Sequence, residues 1–470
     1  MEMITVTAEE YNRKEKKFFE EGCEYGRKKC GEWLEAQDEK IMQERDRKRY
    51  RCVDKRSGTI KTKMGEVNYE RRYYREEVGE GVRYVFLLDE MLGFGESGLY
   101  SGTMIDLVVE ESIKTSYAKA AKAVSEMTGQ SISGMGAWQI VQNRGAQIAE
   151  RERELAELND RGGLQGKIET KVLFEEMDGV WLSMQGKDRP KKGGKREIKI
   201  ATRYSGWRET GHGRYETVGK QAYAGFDEPK EFRRRSEARL AQKYDVDGID
   251  IRILNGDGAS WIKGIDEDAV MQLDPFHRSR ALTRGLADKA ARSEARRLLK
   301  EKDVDGALGY IKSLAENSKE EKEAKRINEL YRYFNDNKAH LLTWDERGIK
   351  LPPPPKGVVY RRLGTQEHSN CVLITHRMKH RKASWSIKGA GHMAKLLCLH
   401  ATGDPRELFS NEGMISTGNR VVESLSAAKV PSYDGRGDDG GLSRGGWPYD
   451  GASLTEGRKT VKDIFHFKVV

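Results

Sequence analysis

The chain has 470 residues, with 85 Lys and Arg against 75 Asp and Glu, a formal charge of +10 and a mean hydropathy of −0.78. That length allows two to four domains at roughly 100–200 residues each, and no run approaches the ~18 uninterrupted apolar residues of a membrane span. The N-terminus MEMITVTAEEYNRKEKKFFEEG has no apolar secretory core, and the five cysteines form no CxxC pair, so a reduced cytoplasmic chain is expected.

In chain order, residues 1–162 read as a mixed α+β N-terminal region. The first 45 or so residues form a charged helix, with Phe18, Phe19, Tyr25, Trp33 and Leu34 expected on its buried side. A β-rich patch, RYRCVDKRSGTIKTKMGEVNYERRYYRE, follows, with a turn expected at Ser57-Gly58 and then Gly65. Residues 86–160 return to helix. Within them, one helix over about 116–127, a turn at 128–131 and a second helix carrying Ile132, Trp138 and Val141 have a helix-turn-helix layout. An ordinary αα-hairpin has the same outline. Lys114, Lys119 and Lys122 lie beside it. Gly162-Gly163 marks a domain boundary.

Residues 163–274 change to strand periodicity. KVLFEEMDGVWLSMQ is a long strand, and REIKIATRYSGW and RYETVGKQAYAGF are two more, joined at a tip of Gly211, His212 and Gly213. PKEFRRRSEARLAQKY is helical, and DGIDIRILNGDGASWI is an apolar strand ending in a glycine-flanked acid. Residues 275–351 are an all-helical, charged insertion closed by Pro352–Pro355. Residues 352–430 resume with a helix from about Glu367 to Met378 and another near 389–400, and a Gly/Asp-rich tail occupies 431–470.

Three acids then stand out. Asp178 lies on a mostly apolar strand face with Phe174, Val180 and Leu182, where an unpaired carboxylate is costly. Asp257 emerges from a strand end between Gly256 and Gly258, which allow a close approach. Glu367 heads the stripe Cys371, Ile374, Met378 at helical spacing. A core acid, a turn residue and a helix-start acid are the plainer readings of each. Together, on a strand, strand, strand, helix, strand scaffold, they match an α/β ribonuclease H-like core, a mixed sheet with flanking helices that binds two divalent ions. Oxygen-only ligands suit Mg²⁺ or Mn²⁺, and such a pair clamps the attacking and leaving oxygens of phosphoryl transfer. Basic clusters at 187–196, 231–240 and 376–388 flank these acids and point to a polyanion. Arg377, Lys379, Arg381 and Lys382 are the candidate phosphate contacts of the last cluster. No HExxH, GxxxxGK[ST] or GxSxG occurs.

The strings EMDGVW (176–181), ILNGDGASWI (253–262) and TQEHSNCVLITHRMKHRKASWSIKGAGHMAKLL (365–397) resemble the ISLre-two family of bacterial insertion-sequence transposases, distantly similar to Mutator-type transposases. The resemblance covers most of the chain. It implies a DDE transposase with Asp178, Asp257 and Glu367 as catalytic and metal-binding triad, and 275–350 as an insertion domain before the Glu. It further implies double-stranded DNA, both element ends and target, as partner, and a homodimer or higher assembly on DNA in the nucleoid. A ribonuclease H-like nuclease or resolvase without strand transfer, and a non-catalytic DNA-binding protein, are the alternatives.

Overall fold

The computed structural model describes residues 7–79, 81–94, 100–263, 268–364, 371–380 and 383–402. Helix α1 (Ala8–Glu44) starts where the Thr7 side chain accepts the Glu10 N–H. Only its second half packs. Leu34 is buried and Asp38 accepts from Arg72, but Phe18, Phe19, Tyr25 and Trp33 are each more than half exposed. The expected buried aromatic face is therefore corrected. The hairpin of β1 (Tyr50–Thr62) and β2 (Gly65–Val78) reaches back along the helix to Gly26 and Arg27, where Arg27 donates to the Met64 carbonyl. Residues 8–22 are exposed throughout.

The turn of that hairpin lies at Lys63-Met64, closed by a Thr62–Gly65 pair with Gly65 at φ +116°. Ser57 and Gly58 stay in register opposite Glu70 and Tyr69, so the turn expected there is absent. Strand β3 (Gly81–Val85) completes an antiparallel three-stranded sheet, followed by the short helix α2 (Leu87–Leu92). Next come α3 (Gly102–Lys114), α4 (Tyr117–Thr128) and α5 (Gly134–Asp160). Helix α4 ends at Gly129 in the left-handed region, and the Ser133 side chain caps α5.

Residues 172–273 supply a five-stranded mixed sheet. It comprises β4 (Val172–Ser183), β5 (Lys195–Tyr204), β8 (Gln221–Gly225), β9 (Ile251–Gly256) and β10 (Val270–Leu273) in the order β10-β9-β4-β5-β8. Strands β4, β5 and β8 form an antiparallel meander, and β9 and β10 add in parallel on the other side of β4. The two long strands expected around His212 are each interrupted. The outer parts, β6 (Trp207–Gly211) and β7 (Arg214–Thr217), form a separate ribbon. Gly206 at φ +143° turns the chain out of β5, where its backbone passes close to Val358. Strand β10, four residues long, carries too little periodicity to be seen in the sequence.

Helix α6 (Pro229–Ala241) connects β8 to β9 and covers one sheet face, where Phe232 meets Met177, Ala201, Tyr223 and Leu254. The other face, with Val180, Leu182, Ile198, Ile200, Ala222 and Ala224, packs in one cluster with α3–α5 and α12 (Ile387–Ala401). That core thus spans both sides of Gly162-Gly163. A single turn, α7 (Ser260–Lys263), follows β9. Between β10 and the prolines, α8 (Pro275–Gly285), α9 (Lys289–Lys300), α10 (Val304–Glu316) and α11 (Glu321–Asp336) enclose a core of their own around Leu299, Ile311, Leu330 and Phe334. Among the described residues no helix is long and apolar enough to cross a membrane.

Candidate active site

Asp178 and Asp257 are brought together by strand register. The parallel pairing of β4 and β9 places Glu176 beside Asn255 and Met177 beside Gly256. Asp178 is the next residue of β4 and Asp257 the first residue past β9, so the two acids follow on neighbouring strands whose backbones are spaced about 4.8 Å apart. Both line an open cleft of about 670 Å³, together with Glu197, His277, Arg280, Arg284, Arg326, Tyr333 and Lys379.

Each acid is oriented locally. The Gly179 N–H donates to Asp178 Oδ1 (2.7 Å), and the Ala259 N–H donates to Asp257 Oδ1 (2.9 Å). Gly258, at φ +86°, lies so near the Asn337 amide that a Cβ there would meet it at 2.5 Å. The Tyr333 hydroxyl of α11 donates to the Asp257 carbonyl (2.7 Å), tying the helical insertion to the strand end. Burial holds the Asp257 carboxyl above its ordinary range, and the Asp178 charge adds to this against the Ala259 N–H and His277.

The two glutamates adjacent in sequence are engaged elsewhere. Glu175 is buried and ion-paired to Arg203 (2.6 Å), which also reaches Glu237. Glu176 accepts from the Tyr204 hydroxyl (2.5 Å) and the Asn255 amide. Asn255 also donates to Asp274 and accepts from Gln272, a buried polar row that fixes the strand ends beneath the acids.

Two residues of the cleft are additions to the sequence-based set. His277 stands in the first turn of α8, which Asp274 caps and Pro275 opens. Its Nε2 lies 3.7 Å from Asp178 Oδ2, an ion-pair rather than a hydrogen-bond distance, and is otherwise buried without a partner. Burial opposes its protonation, but the carboxylates of Asp178, Asp274 and Asp257 outweigh this and raise its pKa. The Asp-Pro helix start was the available signal. Glu197 faces Trp181 across the β4–β5 pair, and burial, followed by the charge of Asp257, raises its pKa. Nothing in its surroundings in the sequence marks it.

Of the other expected residues, Lys379 lines the cleft. Arg377 turns away from it, donating to the Ser112 carbonyl (2.7 Å) between the rings of Tyr117 and Trp385. Lys119 and Lys122 are exposed on α4, with Lys122 near Glu126. Glu367, Arg381 and Lys382 lie outside the described residues. The segment expected to be an α-helix through Met378 is π-helical over Cys371–Thr375, with Ile374 and Met378 buried as the spacing anticipates. In the 231–240 cluster, Arg234 and Arg235 are committed to Asp160, Asp227 and Glu231. Asp178 and Asp257 are hard oxygen donors of the kind Mg²⁺ or Mn²⁺ prefers, and the unpartnered His277 nitrogen marks the wall beside them. Among the described residues no group of three His, Cys, Asp or Glu side chains is arranged to hold a metal ion.

A protein of Caldanaerobacter subterraneus subsp. tengcongensis is 27% identical over 393 residues, covering 82% of this chain and 76% of its own length. A second from that organism is 25% identical over 394 residues, covering 82% and 77%. A third, from Streptococcus gallolyticus and named for its place in a vanSb 3′ region, is 23% identical over 359 residues, with 72% of each chain covered. All three carry the same family designation, and the model of that family matches residues 10–409. The chain belongs to the Uncharacterised protein family UPF0236.

Proposed function

We propose that this chain is a DDE-type DNA transposase, cleaving phosphodiesters at the ends of a mobile element and joining the freed 3′ ends to target DNA. The observation that carries the reading is the side-by-side placement of Asp178, in the middle of β4, and Asp257, just past the end of the adjacent parallel strand β9, in a cleft walled by Arg280, Arg284, Arg326 and Lys379. The sheet order, an antiparallel meander extended in parallel beyond its first strand, is the one expected of a ribonuclease H-like core. The helical insertion between Asp257 and residue 352 fits the same reading. The name of one relative joins eleven loci of a single organism, a recurrence expected of a mobile element.

In this reading Asp178, Asp257 and Glu367 would hold Mg²⁺ or Mn²⁺, which would supply Lewis-acid stabilisation of the negative charge that develops during phosphoryl transfer. The four cations of the cleft wall neutralise and align the phosphate backbone. His277, beside Asp178, would offer a ring N–H to a non-bridging phosphate oxygen. In the cleavage step a water oxygen bonds to phosphorus as the bond to the 3′ oxygen breaks; in joining, the 3′-OH is the nucleophile. Each is an in-line exchange of one phosphodiester bond and consumes no nucleotide cofactor. The α4–α5 pair, with Lys119, Lys122 and the exposed Trp138, Gln139 and Asn143, supplies the element-end reader in a helix-turn-helix arrangement.

The test is divalent-ion-dependent nicking of a labelled duplex carrying the element's end. Asp178→Asn, Asp257→Asn and Glu367→Gln should each reduce nicking to background while leaving duplex binding intact, and Glu176→Gln should retain it. Nicking at the wild-type rate by the Asp178 or Asp257 variants would overturn the assignment. Nicks without joined products would move the chain to a nuclease or resolvase.

A further inference from the structure

We propose that the end of the β1–β2–β3 sheet nearest Tyr50, on the face that carries Tyr73 and Tyr84, is a docking surface for duplex DNA, gripping the phosphate backbone through Arg51, Arg56 and Arg75. The inference rests on the transposase reading for its partner and on strand register for its geometry. Directly opposed residues in an antiparallel pair share a face. On this face Arg51 opposes Arg75, and Arg56 opposes Arg71. Like charges placed directly opposite destabilise a sheet, so each such pair calls for a counter-charge, from within the chain or from a negative surface in front of it. Between the pairs, Tyr73 stacks on Tyr84 at 5.4 Å with the ring planes 15° apart, and the Arg56 guanidinium lies 3.9 Å from the Tyr73 ring centroid.

The internal carboxylates account for the Arg56–Arg71 pair and leave the Arg51–Arg75 pair largely unmatched. Arg71 is held by Asp89 and Arg56 by Asp54, while Arg75 stands 3.6 Å from an exposed Glu77. Arg51 has no carboxylate partner among the described residues and is exposed. Residues 45–56 carry seven Lys or Arg against two Asp, and Arg47 and Lys48 are exposed in the turn that feeds β1. The opposite face is closed at this end, because Tyr74 and Val85 pack there against Ile41 and Met42 of α1, and toward the hairpin turn the arginine face is itself covered, where Ile60, Val67 and Tyr69 pack with Leu34 of α1 and Leu88 of α2. Exposed guanidinium groups interleaved with aromatic rings suit a sugar-phosphate backbone, which takes charge-assisted hydrogen bonds from Arg and tolerates contact with flat apolar surface. A surface of this kind adds affinity without reading sequence, complementing a separate element that does.

The test uses the full chain and a labelled random-sequence duplex, with binding followed by fluorescence anisotropy over a series of salt concentrations. Arg51→Gln, which breaks no ion pair, should flatten the slope of log affinity against log salt by about 0.9, and Arg51→Gln with Arg75→Gln by about 1.8, the loss of one and two phosphate contacts. Arg51→Lys with Arg75→Lys should restore most of the slope. Preference for the element's end over random duplex should not change. A folded double variant with the wild-type slope overturns the proposal, as does a loss of self-association with duplex binding unchanged, which would give the face to a second copy of the chain. A wild type that binds duplex but never nicks, while the double variant loses slope, supports this surface and overturns the catalytic reading alone.

Discussion

His392 shows how one side chain records its surroundings. It sits on α12, buried against α5, with its Nδ1 3.0 Å from the Gln142 side-chain oxygen. Burial, with Lys388 and Lys395 adding positive charge, lowers its pKa from 6.5 to about 4. Between those values the unfolded chain binds more protons than the folded one, so stability falls as pH drops from 6.5 toward 4 and is unaffected above that window. Urea unfolding followed over this range should show a loss of order 2–3 kcal/mol, and His392→Gln should remove the part of the slope above pH 5. The residue scale also divides what the sequence discloses from what it withholds. Asp178 and Asp257 were legible because an acid on an apolar strand and an acid between glycines are locally anomalous. His277 and Glu197 were not, because only the start of α8 and the pairing opposite Trp181 bring them to the cleft.

At the scale of elements, helix contacts explain glycines that helix propensity would reject. Gly145 lies inside α5, and a Cβ there would fall 2.3 Å from the Cβ of His392 and 2.7 Å from its Cα. The close approach of α5 to α12 depends on it, as does the buried ion pair of Glu152 with Lys395 further along the same two helices. Gly309, in α10, has no atom within 4 Å of the position its Cβ would take. Gly145→Ala should therefore destabilise by about 1–3 kcal/mol despite its better propensity, whereas Gly309→Ala should stabilise by about 0.5–1 kcal/mol. Denaturant midpoints of the two variants check both signs. Helix α1 teaches the reverse lesson. Its aromatic residues look like a buried face to any sequence pattern, yet the sheet beneath it ends at the 62–65 turn, and nothing local in residues 8–22 records how far a strand thirty residues later will reach.

At the scale of the whole molecule, the division into a mixed sheet and a helical insertion was readable from the switch between strand and helix periodicity near residue 275. The joining of α3–α5 to the sheet through a common core was not, since a Gly162-Gly163 break looks the same in sequence whether or not the flanking parts pack together. The insertion's separate core has a further consequence, for the order in which the chain assembles. Its contacts join neighbours such as α10 and α11, which close short loops, whereas the Asn255–Glu176 bond beneath the acids joins residues 79 apart. Loop-closure entropy favours the local unit first. In pulse-labelled hydrogen exchange during refolding, amides of α10 and α11 should gain protection before those of β9. The insertion would then already be a folded body when β9 enters the sheet, and the hydroxyl of Tyr333 would be waiting for the Asp257 carbonyl, so that the two acids first meet against a finished wall.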